Sequence, residues 1–267
     1  MMNLIRMNLY RFLKAKSVYI LLLVTALLIG DLVLDQNSSD MASLNQEILQ
    51  EAGVEENDNV GLTVGLSPIT SVRKMTEEMV NSGIVLVFTA IFAALFSNAE
   101  RVGGYLKNLN SCAGTKEQIF MAKIVPVILF ALLNILVIPL TAMLFGLDGA
   151  GFFAGEVLIY LGVQWLLHIA FGISILMLME VTRSLVAGIL SGVFIGAGVG
   201  VMLINLIENI VFRMDGFISG HLIVLTVKTF LPENVFEYLI PVLVRGIVGF
   251  VLYTGIGALV FKKRDIY

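Results

Sequence analysis

Six stretches of the chain are almost wholly apolar: residues 18–34, 80–96, 124–145, 157–179, 185–207 and 239–261. A helix needs about 20 such residues, at about 1.5 Å rise each, to cross some 30 Å of hydrocarbon. The pattern therefore predicts an all-α polytopic membrane protein with six transmembrane helices. The first stretch is the shortest and carries Asp31 near its end. No small-residue cleavage site follows it, so it is expected to stay in the chain. Residues 1–16 show a different periodicity. Met2, Ile5, Leu9 and Phe12 recur on one helical face, and Asn3, Arg11 and Lys14 lie opposite. That is the pattern of an amphipathic interfacial helix whose basic face meets anionic headgroups.

Composition agrees with this picture. Hydrophobic residues make up 58% of the 267, charged residues 14%, and the mean hydropathy is +0.94; soluble domains carry about 25% charge. A net charge of −3 argues against a nucleic-acid partner. One cysteine, Cys112, excludes an internal disulfide and a cysteine-rich metal site. The charges also predict orientation, because Lys and Arg are retained on the cytoplasmic side. With both termini inside, the inner segments hold Arg6, Arg11, Lys14, Lys16, Arg101, Lys107, Lys116, Lys123, Arg183, Lys262, Lys263 and Arg264, which is 12 of the 17 basic residues.

The connections differ in character. Residues 35–79 form a long acidic outer loop, with a possible short helix over 39–50 and breaks at Gly53, Gly61, Gly65 and Pro68. Residues 208–238 are too apolar for a free loop and predict outer re-entrant or interfacial helices, with Phe212, Phe217, Phe230 and Phe236 as gate candidates or interfacial anchors. Residues 97–123 are polar enough to leave the membrane, yet carry Tyr105, Leu106, Leu109, Ile119 and Phe120. Gly103-Gly104 bends this segment, and Thr115 is placed to cap a helix starting near Lys116. A short surface helix with exposed apolar residues is what docking into a partner's groove requires.

Glu100, Gly103 or Gly104, Leu106, Leu109, Gly114-Thr115, Lys116 and Lys123, in that order, resemble the cytoplasmic coupling segment of type-2 ABC transporter permeases. The amphipathic start, six spans, long outer loop and Phe261-Lys-Lys-Arg ending are similar to that family too. The chain departs from it at Asn110-Ser-Cys-Ala-Gly, where members often carry a turn before an Arg. The resemblance implies the permease subunit of a bacterial ABC exporter, multi-pass in the cytoplasmic membrane. It implies pairing with a second permease half, identical or related, and coupling to a separate cytoplasmic ATPase through Glu100, Gly103, Gly104, Tyr105, Leu106, Leu109 and Lys116. ATP and Mg would be held by that partner, since this chain has no G-x-x-x-x-G-K-[ST] loop. No catalytic residue, cofactor or metal is expected on the chain itself. A peptide or antimicrobial, a lipid or an amphipathic drug is the expected cargo.

Within the spans, Gly188, Gly192 and Gly196 recur every four residues, a helix-packing face. Polar residues at depth are expensive and so mark candidate sites: Asn134, and Gln164 with His168 one turn later, are read as interhelical hydrogen-bonding groups or pathway residues. Pro126 and Pro139 are candidate kinks. Arg245, about 9 Å into the sixth span by helical rise, is placed to snorkel outward or to pair with Glu237. An ion-gradient transporter would need deep carboxylates or broken helices, and His168 is the one deep titratable group the pattern offers. A membrane anchor or sensor is a further alternative. An intramembrane hydrolase lacks its motifs.

Overall fold

Every apolar stretch becomes helix, and glycines, turns and charges decide where each helix stops. The computed structural model describes residues 1–37, 71–103, 115–213 and 219–263, among which there is no β-strand. The helices are α1 (Met2–Lys14), α2 (Lys16–Asn37), α3 (Val72–Asn81), α4 (Ile84–Val102), α5 (Lys116–Leu144), α6 (Gly155–Thr182), α7 (Leu185–Gly196), α8 (Val199–Ile207), α9 (Ile223–Thr229) and α10 (Val235–Lys262). A π-helical turn (Glu208–Phe212) and two 3-10 turns (Ser219–His221 and Pro232–Asn234) fill the segment before α10. Helices α2, α4, α5, α6 and α10 are each long and apolar enough to cross a membrane. The chain is a multi-pass membrane protein.

The fifth apolar stretch, read as one span over 185–207, is instead broken. Helices α7 and α8 meet at a 72° bend. Gly198 at the bend takes φ +91°, a left-handed conformation that glycine adopts without steric cost. The second span also differs from the pattern: Gly83, at φ +87°, separates α3 from α4, and α4 runs on to Val102, carrying Glu100 and Arg101 within the helix. Both prolines of α5 lie inside one helix.

Helix α6 is the centre of the bundle, packed on α10, α4, α5, α7 and α9, while α1 and α2 lie against α5. Lipid is as apolar as leucine, so interhelical packing here rests on close contact rather than on escape from water. Gly188, Gly192 and Gly196 are the buried residues of α7. A Cβ on Gly192 would sit 2.4 Å from that of Ala90, so this face packs on α4 of the same chain. An aromatic row ties α1 into the bundle: Phe12 meets Phe92 edge-on at 5.7 Å, and Phe92 stacks on Phe130 at 4.2 Å. Such pairs contribute about 0.5–1.5 kcal/mol each beyond their buried area. The buried stripe of α1 is Leu4, Asn8 and Phe12, whereas Met2, expected inward, is exposed.

Candidate functional site

Two polar clusters lie inside this apolar bundle, one at the end occupied by α1 and one toward the opposite end. At the α1 end, Arg11, Glu100, Lys123 and Glu180 come from α1, α4, α5 and α6. Arg11 Nη1 is 2.5 Å from Glu100 Oε1, and Lys123 Nζ lies 2.7 Å from Glu100 Oε2 and 2.9 Å from Glu180 Oε1. Ser97 donates to Glu180 at 3.3 Å. Two rings cover the cations, Phe96 at 4.9 Å from the Arg11 guanidinium and Phe261 at 4.6 Å from the Lys123 amine. Both carboxylates and Lys123 are almost completely buried. Among the described ion pairs here, two positive and two negative side chains balance, which is what makes four ionised groups tolerable at low dielectric. Arg11, expected to face headgroups, is drawn inward because Glu100 needs a donor there.

Toward the opposite end, both helix breaks meet. A Cβ on Gly83 would lie 2.4 Å from the Gly196 carbonyl oxygen, so the α3–α4 junction and the end of α7 touch backbone to backbone. Lys228 of α9 donates to the Ala197 carbonyl at 2.8 Å, satisfying an acceptor that the broken helix releases. Beside them, Tyr160 donates to Asn81 Oδ1 at 2.8 Å, and the Gln164 amide donates to the Val227 carbonyl at 3.0 Å. These bonds tie α6 to the α3–α4 junction and to α9.

His168 and Gln164 are fully buried. His168 Nδ1 is 2.7 Å from the Gln164 carbonyl, which can only accept, so Nδ1 carries the proton. His168 Nε2 and Gln164 Oε1 are then acceptors without a donor among the described residues. Asn134 is a three-helix bracket: it accepts from Thr25 of α2 at 3.0 Å and donates to the Val85 carbonyl of α4 at 3.2 Å. Phe230 is buried and stacks on Tyr160 at 5.7 Å, and Phe236 is exposed on α10. Arg245 does not reach Glu237; it donates to Thr226 Oγ1 at 3.3 Å, because α9 folds back beside α10.

Of the residues assigned to coupling, Glu100 lies in the ion network, Gly103 closes α4 and Lys116 opens α5. Thr115 occupies the cap position of α5 without a side-chain bond to it. Gly104, Tyr105, Leu106 and Leu109 lie outside the described residues, as do Phe217, the side chain of Phe212 and the 39–50 segment. Glu180, Tyr160 and Lys228 escaped the sequence reading. For Glu180 a signal was present: it sits between Met179 and Val181 at the end of an apolar run, as Lys123 sits between Ala122 and Ile124. Among the described residues no group of three or more His, Cys, Asp or Glu is placed to hold a metal ion.

On α3, ahead of the second span, burial raises the carboxyls of Glu77 and Glu78 above the ordinary 4.5. The nearby Glu233 carboxylate adds to the effect at Glu77, and Arg73 and Lys74 partly oppose it. A carboxyl held above its unfolded value binds its proton more tightly in the fold, so the fold is penalised above the raised value and relieved as pH falls toward 4.5. Acidifying from about pH 7 to about pH 5 should therefore raise the thermal midpoint of the purified protein. The Glu77→Gln, Glu78→Gln double variant should flatten that slope.

Comparison of the chain with protein-family models, with curated proteins and with solved structures finds no match.

Proposed function

We propose that the chain is the permease subunit of an ATP-driven exporter, placed in a bacterial cytoplasmic membrane with both termini inside. It would form half of a translocation pathway and couple to a separate ATPase. The observation that carries this reading is the Arg11–Glu100–Lys123–Glu180 network. It sits where α4 ends and α5 begins, at the root of the 103–115 connection, and it bonds that root to α1 and α6. A push on the connection by a closing ATPase would thus reach four helices through buried, charge-assisted bonds rather than through a flexible loop. The resemblance of residues 97–123 to a permease coupling segment supplies the partner's class.

The test is co-purification in mild detergent, with ATPase association and transport as readouts. The Leu106→Asp, Leu109→Asp double variant should insert normally and lose both. Survival of both would remove that segment from the mechanism. A second reading, an ion-gradient transporter, is favoured by the α7–α8 break and by the buried Glu100 and Glu180 carboxylates, both features of ion-coupled carriers. Substrate movement in vesicles driven by a proton or sodium gradient, with no ATPase present, would select it.

A further inference from the structure

The last 3-10 turn, α9 and the first half of α10 border a half-open cavity of about 340 Å³. Arg245 reaches it from α10; Thr226, Thr229, Asn234 and Tyr238 give it polar walls, and Phe230 is an apolar one. Arg245 lies ten residues into α10, about 15 Å along the axis, and it is half-buried. A guanidinium offers five N–H donors, and Thr226 Oγ1 is the acceptor Arg245 has among the described residues. No described carboxylate pairs with it. A cation at that depth calls for an anion, and the described residues supply none.

We propose that this cavity holds the headgroup of an anionic phospholipid, with its phosphodiester on Arg245 and its acyl chains along α10. Three observations fix the class. The guanidinium fork matches two phosphate oxygens. Inward of Arg245, on the same side of α10, the helix is bare and apolar, with Val248 54%, Leu252 47% and Ile256 42% exposed, a track for acyl chains. Finally, the hydroxyls of Thr226 and Thr229 already donate to the Leu222 and Leu225 carbonyls, so toward the cavity they can only accept. A headgroup that brings its own hydroxyl donors satisfies them, as glycerol does in phosphatidylglycerol; a choline group does not. The assignment is independent of the transport reading.

The test is native mass spectrometry of the full chain released from nanodiscs of mixed phosphatidylglycerol and phosphatidylcholine. The wild type should retain one phosphatidylglycerol in preference to phosphatidylcholine. Arg245→Gln should weaken that retention by about tenfold or more, the scale of a lost charged hydrogen bond. Arg245→Lys should restore part of it, and Thr229→Val should erode the preference for the glycerol headgroup while leaving Arg245 in place. Equal retention of the two lipids, or unchanged retention in a folded Arg245→Gln, overturns the proposal. So does binding of free glycerol phosphate to lipid-stripped protein with the same dependence on Arg245, since the ligand would then be a soluble anion.

Discussion

Replacing Lys123 by Met should destabilise the bundle by about 3–5 kcal/mol, the cost of removing one partner from a buried ion pair. Lys123 is the cation that Glu100 and Glu180 share, and all three side chains are at most 1% exposed. Without it the four-membered network goes from neutral to a net −1 in a low-dielectric setting. The loss should be visible as a lower midpoint in detergent-induced unfolding followed by helicity. Adding Glu180→Gln to Lys123→Met restores neutrality and should recover part of the stability. If the double variant is no better than the single one, charge balance is not what holds the α1 end together.

Gly83→Ala should cost about 2–4 kcal/mol, from left-handed backbone strain plus a clash that the backbone must relieve. The added methyl would meet the Gly196 carbonyl oxygen at 2.4 Å, and that oxygen belongs to the end of α7 rather than to a side chain that can swing away. The two helix breaks should then part, loosening the contact that Lys228 makes with Ala197. Gly162→Ala is the control. Gly162 has open space around its Cβ direction and sits within α6, so the change should stabilise by about 0.5–1 kcal/mol through helix propensity. Equal effects at the two positions would mean that the meeting of the breaks carries no stability.

Much of the architecture was written in the apolar periodicity, because hydrocarbon demands internally bonded backbone and so leaves helices as the solution for long apolar runs. The five long apolar helices, the helical start and the short helices before α10 were legible that way, whereas the face that α1 buries is Leu4, Asn8 and Phe12 rather than Met2, Ile5, Leu9 and Phe12. The break at Ala197-Gly198 was not, since Gly188, Gly192, Gly196, Gly198 and Gly200 read alike as packing residues in one dimension. What distinguishes Gly198 is a positive φ and an amine from α9, some thirty residues away, waiting for the freed carbonyl.

The candidate sites divide along the same line. Residue type alone marked Asn134, Gln164 and His168 as polar groups too costly to bury without partners. Which partners they would find was decided by tertiary structure: Thr25 and Val85 for Asn134, Val227 for Gln164. For the charges the gap is wider. By sequence, Arg11 was a headgroup contact, Glu100 a docking residue, Lys123 an inner-surface charge and Arg245 a residue to snorkel outward or to pair with Glu237. The fold gathers the first three with Glu180 into one buried network and leaves Arg245 facing a cavity. Hydropathy is a local property, summed along one helix, and it fixes which segments enter the membrane. Ion pairing is a property of helices brought side by side, and that only the packed bundle decides.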